Sequence, residues 1–510
     1  MAIGQRKNSR RSVDCTVSHG AWWSRGAWGL AARGQSPSLA FGHSKRCAFH
    51  GSCAPGTSSM RCSRLFVHSL LGGAGAAWAI VCAAMVACGD EPAPSAAVTI
   101  ESVHVLEDQR LPLPAGIDRA AAGRYRLGGF SDLVVVPDHA HRGHRFLTIT
   151  DRGPNAEIIV ASPPGEPPRR LRTLPVPDFS PVLVEIRIGE SSDRGPRGGR
   201  ERAVTGDRSG TIEVVSMRPL RTVSGRPLSG RPVAPQAGDA PVFEPRSGLP
   251  LPPDPNGFDT EGLARLPDGT LWIAEEYLPS LARLSTDGRV IERFVPLAMG
   301  DLRADMAVRH TLPDALARRR ENRGFEALAA SPDGHRLHAL MQSPATASGA
   351  ASIEAVLVEF DPRSGDTVAE HHYRLGDPAD TDTDAIAAAD GKLSAAAAVD
   401  ARTLLVVEQS ATESRLYRVT LPAEGAAAPL EKTLVADLLP LVPRLARDID
   451  PTAPPPEKPA DLKIEGLAVL DDDRVAIVND NDFDIAAKSA DRAATRRTCL
   501  WILRLREPLR

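Results

Sequence analysis

The sequence predicts an all-β protein of the β-propeller class, and three observations support this. A short segment that begins with Glu-Gly-Leu or a related sequence recurs along the chain. Each copy contains two brief apolar runs around a turn, as in a β-hairpin. The copies also follow one another at a nearly constant spacing, which is typical of repeat architectures.

The clearest copy of the repeat is DTEGLARLPDGTLWIAEEY, from Asp259 to Tyr277. Related copies begin at Gly128, Arg323, Gly391 and Lys463. Asp-Gly pairs at 268–269 and 333–334 fit the tight turn of a hairpin, because both residue types tolerate positive φ. Each copy is therefore predicted to be two antiparallel strands.

The spacing of the copies sets the expected number of blades. The anchor residues of the repeat are separated by 130, 65, 68 and 71 residues, and they are Ser131, Glu261, Glu326, Ser394 and Glu465. The first gap is twice the second, which indicates an unrecognised copy near residue 196. We therefore expect a six-bladed propeller over residues 98–510. A β-sandwich or two small β domains are the alternatives.

Composition narrows the possible partners and sites. The 510-residue chain has a formal net charge of −3 and no cluster of basic residues, so a nucleic-acid partner is not expected. Six of the seven cysteines lie within the first 88 residues, and Cys499 alone lies in the predicted domain. This distribution excludes a disulfide framework and a structural zinc site in the domain.

The N-terminal region predicts export. The nearly uncharged run from Leu65 to Cys88 follows two arginines, so residues 60–88 have the order of a signal peptide. Met85–Cys88 resembles a bacterial lipobox, which implies lipidation of Cys88 and a membrane-anchored lipoprotein that faces the periplasm or the cell surface. Residues 89–97 are then a tether, and 1–59 are a spurious or disordered leader. A transmembrane helix and simple secretion are the alternatives.

Hairpin geometry gathers acidic residues at one end of the predicted channel. Glu261 and Glu275 are equally distant from the turn at Asp268, so they lie near one another in an antiparallel pair. The other copies repeat this relation, and carboxylates that crowd together favour a bound divalent cation, with Ca²⁺ the best match for oxygen ligands. The predicted metal ligands are Asp151, Asn155, Glu261, Glu465, Asp480 and Asn481. The alternative is that each recurrent Glu binds backbone amides of the next blade and only holds the ring together.

Other charged residues in these motifs suggest catalytic roles. A carboxylate that does not bind the metal, Glu276 or Glu326, is the candidate general base. Arg152, Arg323 and Lys463 stand beside acidic motifs and are the candidates for binding a phosphate. A serine esterase is disfavoured, because the folded part has no Gly-x-Ser-x-Gly sequence.

Four motifs in this order resemble the phytase-like domain family, known as "esterase-like activity of phytase". They are DRGPN at Asp151, the segment from Asp259, ENRGFEALAASPDG from Glu321, and KIEGLAVL with VNDNDF from Lys463. The resemblance extends from about Val98 to the C-terminus and implies a propeller that hydrolyses small phosphoesters or esters. The Glu-Gly-Leu element also resembles gluconolactonase-like propellers, at the level of fold only. The alternative function is a non-catalytic surface propeller with a structural calcium site that binds a ligand or a partner.

Overall fold

The computed structural model describes residues 97–114, 125–137, 143–160, 169–189, 208–233, 239–345, 353–376, 391–424, 428–452, 454–485 and 496–510. The leader, the signal segment, Cys88 and nearly all of the tether lie outside the described residues, so the predictions made for them stay predictions. Within the described part, no helix has the length and apolar character needed to cross a bilayer.

The described residues are almost entirely β-structure. The strands are β1 Val98–Leu106, β2 Phe130–Val136, β3 His144–Thr150, β4 Ala156–Val160, β5 Arg169–Thr173, β6 Val182–Ile188, β7 Arg208–Pro219, β8 Thr260–Arg265, β9 Leu271–Glu275, β10 Ser280–Leu284, β11 Val290–Pro296, β12 Ala307–Leu312, β13 Phe325–Ala330, β14 Leu337–Met341, β15 Glu354–Asp361, β16 Asp366–Arg374, β17 Lys392–Ala398, β18 Thr403–Gln409, β19 Ser414–Thr420, β20 Glu431–Asp437, β21 Ile464–Val469, β22 Arg474–Asn479 and β23 Cys499–Leu505. One α-helix, α1 Val442–Ile449, and 3₁₀ turns at Asp314–Arg318, Leu439–Leu441, Pro459–Leu462 and Asp482–Asp484 complete the described elements.

The strands form antiparallel blades arranged around a central channel. The blades are β2-β3-β6-β7, β8-β9-β10-β11, β13-β14-β15-β16, β17-β18-β19-β20 and β21-β22-β23-β1, and β12 adds in parallel to the outer edge of the second. The innermost strands pack in a ring in the order β2, β8, β13, β17 and β21, and β21 packs again on β2. The propeller prediction is confirmed.

The ring closes through the N-terminal strand. β1 pairs antiparallel with β23 and becomes the outer strand of the last blade. Its other edge pairs in parallel with β7 of the first blade, which links two blades in one sheet. The first and last parts of the domain therefore hold one another in place.

The described strands form five blades, and the predicted count of six is wrong for this part of the chain. β2 packs directly against both β8 and β21, which leaves no place for a further sheet between them. The described part of the long first gap instead contains the inserted hairpin β4–β5, the outer strands β6 and β7, and irregular segments over 220–233 and 239–259. The expected copy near residue 196 lies outside the described residues, in the part of the chain between β6 and β7.

Each inner strand has a register irregularity at the anchor residue of the repeat. The shifts lie at Ser131–Val134, Thr260–Gly262, Phe325–Ala327, Leu393–Ala395 and Ile464–Gly466. A β-bulge leaves one residue outside the ladder and redirects its side chain. The repeat therefore encodes a bulge, which turns Glu261, Glu326 and Glu465 away from the blade faces and toward one end of the channel.

Apolar layers between the blades hold the ring together. Between the second and third blades, the rings of Trp272, Phe294 and Phe360 pack with centroids 5.0–5.5 Å apart. Burial of each such side chain stabilises the fold by about 1.5–3 kcal/mol. This packing fixes the blades against one another and so fixes the positions of the inner strand ends.

Candidate metal centre at the channel mouth

A cavity of about 900 Å³ opens at the end of the channel where the inner strands begin. Its lining consists of Asp151, Arg152, Asn155, Ala156, Glu157, Arg172, Glu261, Glu276, Arg320, Glu321, Asn322, Arg323, Glu326, Gln342, Lys392, Lys463, Glu465, Asp480, Asp482 and Ile485. All but two of these residues are polar or charged, and among the described residues no histidine lines the cavity. Oxygen and cationic nitrogen groups therefore dominate its chemistry.

Backbone geometry brings the two ends of one hairpin together. Thr260 pairs with Glu275, so Glu261 at the bulge and Glu276 just beyond β9 lie at the same end of the blade. The loop before β13 packs directly on this end, because a Cβ atom at Gly324 would lie 1.9 Å from the carbonyl oxygen of Glu276. Glycine is required there for the third blade to contact the second so closely.

Three carboxylates of the second blade form the tightest acidic group. Oxygens of Asp259, Glu261 and Glu276 lie within 4.8 Å of one another, and all three residues are buried. The hydroxyl of Ser131 donates to Glu261 Oε2 at 2.7 Å, whereas Glu276 Oε1 has no hydrogen-bond partner among the described residues. Burial and the neighbouring carboxylates raise the pKa of Glu261 and of Glu276 well above the usual range.

These three carboxylates fit a divalent cation. A buried carboxylate oxygen without a donor is costly, and an oxygen-only ligand set suits a hard ion such as Ca²⁺. Glu261 was predicted as a ligand and Glu276 as a base, whereas the sequence interpretation did not single out Asp259. A cation here would lower the mutual repulsion that raises the pKa of these groups.

Arg152 is the cation within this acidic group. Its guanidinium forms a salt bridge with Asp259 and lies 3.4 Å from Glu276 Oε2, and its backbone N–H donates to Asp259 at 3.2 Å. Burial disfavours the charge of Arg152, but Asp259 and Glu276 outweigh it and raise the pKa of the arginine further. Arg152 thus offsets part of the negative charge and leaves Glu276 Oε1 open.

A second acidic group lies at the end of the last blade, where β21 begins and β22 ends. The ammonium of Lys463, a residue in the left-handed conformation at φ 51°, contacts both Asp480 and Asp482. Burial opposes the charge of Lys463, but the two carboxylates raise its pKa well above the usual range. Burial also raises the pKa of Asp480 to about 6. Lys463 therefore offsets the negative charge of Asp480, which was predicted as a metal ligand.

Glu326 and Glu465 share a lysine between them. Lys392 Nζ lies 3.3 Å from Glu465 Oε1. Burial raises the pKa of Glu326 to about 7, although Lys392 opposes the shift, and Glu326 Oε2 has no hydrogen-bond partner among the described residues. Arg323 donates to Gln342 nearby. Glu326 is thus a buried carboxyl that can exchange a proton near neutral pH.

Some residues that the sequence placed with the site have other partners. Asn481 does not line the cavity, and its Oδ1 accepts from the amides of Gly129 and Phe483, which occupies both lone pairs. These contacts do not favour its predicted role as a metal ligand. Glu275 is buried against Arg293 at 3.0 Å. Asn155 lines the cavity and donates to the carbonyl of Gly153 at 3.3 Å.

The remaining predicted residues do share the cavity. They are Asp151, Arg152, Glu261, Glu276, Arg323, Glu326, Lys463, Glu465 and Asp480. The sequence interpretation did not single out Lys392, although this residue lies in the copy that begins at Gly391, and it missed Arg172, which is part of no recognised motif. Asp259 had a usable signal, since it stands two residues before the repeated Glu on the same hairpin.

The profile of the Phytase-like family, described as "esterase-like activity of phytase", matches residues 125–483. The chain belongs to this family. The match covers more than half of the chain and includes every residue of the cavity lining up to Asp482.

A curated relative, an uncharacterized secreted protein of Arthroderma benhamiae, is 28% identical over 134 residues. The match covers 23% of this chain and 26% of the relative, so the chain spans about a quarter of that protein. A luciferin-regenerating enzyme aligns at 9% identity and a TM-score of 0.30 over 74% of this chain and 92% of its own. The aldose sugar dehydrogenase of Streptomyces coelicolor aligns at 13% identity and a TM-score of 0.29, over 81% of this chain and 99% of its own. The propeller assignment rests on the strand order and not on these scores.

Proposed function

We propose that this protein is an extracytoplasmic, metal-dependent hydrolase of phosphate or carboxylic esters. The observation that carries the proposal is the buried group of Asp259, Glu261 and Glu276 in a polar cavity, with a carboxylate oxygen that has no partner among the described residues. Membership of the phytase-like family supports the same class of reaction.

The three carboxylates would hold the cation, with Ca²⁺ the proposed ion. A cation at this position supplies Lewis acidity toward the ester oxygen and lowers the pKa of nearby water. Glu326 faces the same cavity and is the proposed general base, because its pKa of about 7 allows it to accept a proton at neutral pH. Arg152 limits the negative charge of the group so that an anionic ester can approach.

Export is the second part of the proposal. Residues 60–88 have the signal-peptide pattern, and the Arthroderma relative is named as a secreted protein. We propose that Cys88 is lipidated and holds the domain at the membrane surface through the tether. Mass spectrometry of the mature N-terminus tests this step, and a mature protein that begins elsewhere than at Cys88 would contradict it.

The activity test uses p-nitrophenyl phosphate and p-nitrophenyl acetate with the purified protein. We expect turnover with Ca²⁺, loss of turnover with a chelator, and a fall of at least about a hundredfold in Glu261→Gln. Asp268→Asn, on the exposed hairpin turn of the same blade, is the control and retains activity. If the chelator lowers only the melting temperature and neither ester is hydrolysed, the site is a structural calcium site in a binding propeller.

A further inference from the structure

The inserted hairpin β4–β5 contributes to the cavity although it belongs to no blade. It leaves the first blade between β3 and β6 and forms its own two-stranded sheet. Asn155, Ala156, Glu157 and Arg172 of this insertion line the cavity. An insertion that reaches a site in this way is well placed to determine which ligand the site accepts.

Arg172 is the cation that this hairpin places on the cavity wall. Its Nη1 donates to Asn322 Oδ1 at 3.0 Å, and among the described residues it forms no ion pair. Of the other cations in the cavity lining, Arg152, Lys392 and Lys463 each contact a carboxylate. Arg172 therefore keeps most of its five N–H donors for another acceptor.

The positive charge of Arg172 is also disfavoured at its position, despite the carboxylates in the cavity. Arg152 donates to the same oxygen of Asn322, so two guanidinium groups share one neutral acceptor. Burial and the charge of Arg152 lower the pKa of Arg172, and the opposing effect of Glu321, Glu276 and Asp259 does not reverse this shift. Asn322 itself has φ 55°, a left-handed conformation that is uncommon outside glycine and clusters at functional sites.

We propose that Arg172 forms an oxyanion subsite and that the substrate is a phosphate monoester. This inference rests on the proposed hydrolase function and selects between its two ester classes. A phosphate carries several anionic oxygens, so one can contact the cation that Asp259, Glu261 and Glu276 would hold while others accept N–H bonds from Arg172. A neutral carboxylic ester would leave Arg172 without an anionic acceptor.

The lining of the cavity supports the same choice. Ala156 and Ile485 are its only apolar residues among those described, so an acyl chain would find little apolar surface to contact. Arginine suits phosphate because its planar N–H groups bind two oxygens at once. The cation held by the acidic group and the guanidinium of Arg172 would thus bind different oxygens of one phosphate, and Arg152 contacts both Asp259 and Asn322, the partner of Arg172.

The test is calorimetric titration of the protein with inorganic phosphate in excess Ca²⁺. A charge-assisted hydrogen bond contributes about 1.5–3 kcal/mol, so Arg172→Gln should weaken phosphate binding roughly 10- to 100-fold. Arg172→Lys keeps the charge but loses the planar donors, so its affinity for phosphate should lie between that of the wild type and that of Arg172→Gln. Arg303→Gln removes the same charge from a side chain that is 89% exposed and should bind as the wild type does.

The outcomes separate this inference from the proposed function. If phosphate binds through Arg172 but no ester is hydrolysed, the subsite stands and the hydrolase proposal fails. If hydrolysis occurs and Arg172→Gln affects p-nitrophenyl phosphate and acetate equally, the inference fails and the hydrolase proposal stands. Phosphate binding that is absent, or unchanged in a folded Arg172→Gln protein, overturns the subsite. Sulfate that binds more tightly than phosphate overturns the assignment of the substrate.

Discussion

Asp132 connects three inner strands at the centre of the ring, and its replacement should loosen the whole propeller. The residue is 1% exposed and has φ 65°. Its carboxylate accepts the amide of Leu133 at 2.7 Å and that of Leu263 at 2.8 Å, and also bonds the amide of Leu328. These amides belong to β2, β8 and β13, so one side chain joins the first three blades.

The size of the effect follows from these bonds. Asp132→Asn replaces one acceptor oxygen with an NH₂ group that opposes a backbone N–H, which should lower the free energy of unfolding by about 1–3 kcal/mol. Asp132→Gly leaves three buried amides without acceptors and should cost at least about 3 kcal/mol. Both replacements tolerate positive φ, so backbone strain does not add to the loss.

Equilibrium urea unfolding, followed by the fluorescence of the buried Trp272 and Trp501, measures the change. Asp268→Asn is the matched control, because that carboxylate accepts one amide, from Thr270 at 2.8 Å, in an exposed turn. Its expected cost is below about 1 kcal/mol. An Asp132→Gly protein within 1 kcal/mol of the wild type would refute the argument that this carboxylate holds the ring.

Three further predictions concern the site. Glu326 has a pKa of about 7 in the folded protein, so the folded state binds more protons than the unfolded state between pH 4.5 and 7. With chelator present, the free energy of unfolding should therefore fall as the pH rises from 4.5 to 7. Glu326→Gln should remove about 3 kcal/mol of that fall. If the variant shows the same slope of unfolding free energy against pH as the wild type, the assignment is contradicted. Gly324→Ala places a Cβ against the Glu276 carbonyl, so calorimetry should show Ca²⁺ affinity reduced at least tenfold. Arg293→Met leaves Glu275 buried without its cation, although the carboxylate still accepts the amides of Asp259, Tyr277 and Leu278. We expect the free energy of urea unfolding to fall by about 3–5 kcal/mol, and a much smaller fall would show that the pair is dispensable.

The sequence predicted the class of the fold but not the number of blades. The repeated hairpin is a local feature, so its turn could be predicted from Asp268-Gly269 and its strand pairing from the spacing of Glu261 and Glu275. The blade count depended on the meaning of a 130-residue gap. An insertion between strands and an additional blade lengthen the sequence in the same way, and only the contact of β2 with both β8 and β21 separates them.

The site was predictable where one hairpin supplies the residues. Glu261 and Glu276 lie close together because their strands pair, and such pairing can be inferred from distance to the turn. Contacts between residues of different blades could not be inferred from distance to a turn. The contact of Lys392 with Glu465, and the shared contact of Arg152 and Arg172 with Asn322, depend on tertiary positions. The sequence therefore indicated the acidic residues better than the cations that neutralise them.

The most direct test of the central claim is a calorimetric titration of the chelator-treated protein with Ca²⁺, alongside the double variant Glu261→Gln, Glu276→Gln. The account predicts one ion per chain in the wild type and no measurable binding in the double variant, with both proteins folded. No stoichiometric binding by the wild type, or equal binding by the two proteins, would contradict the assignment of Asp259, Glu261 and Glu276 as the metal centre.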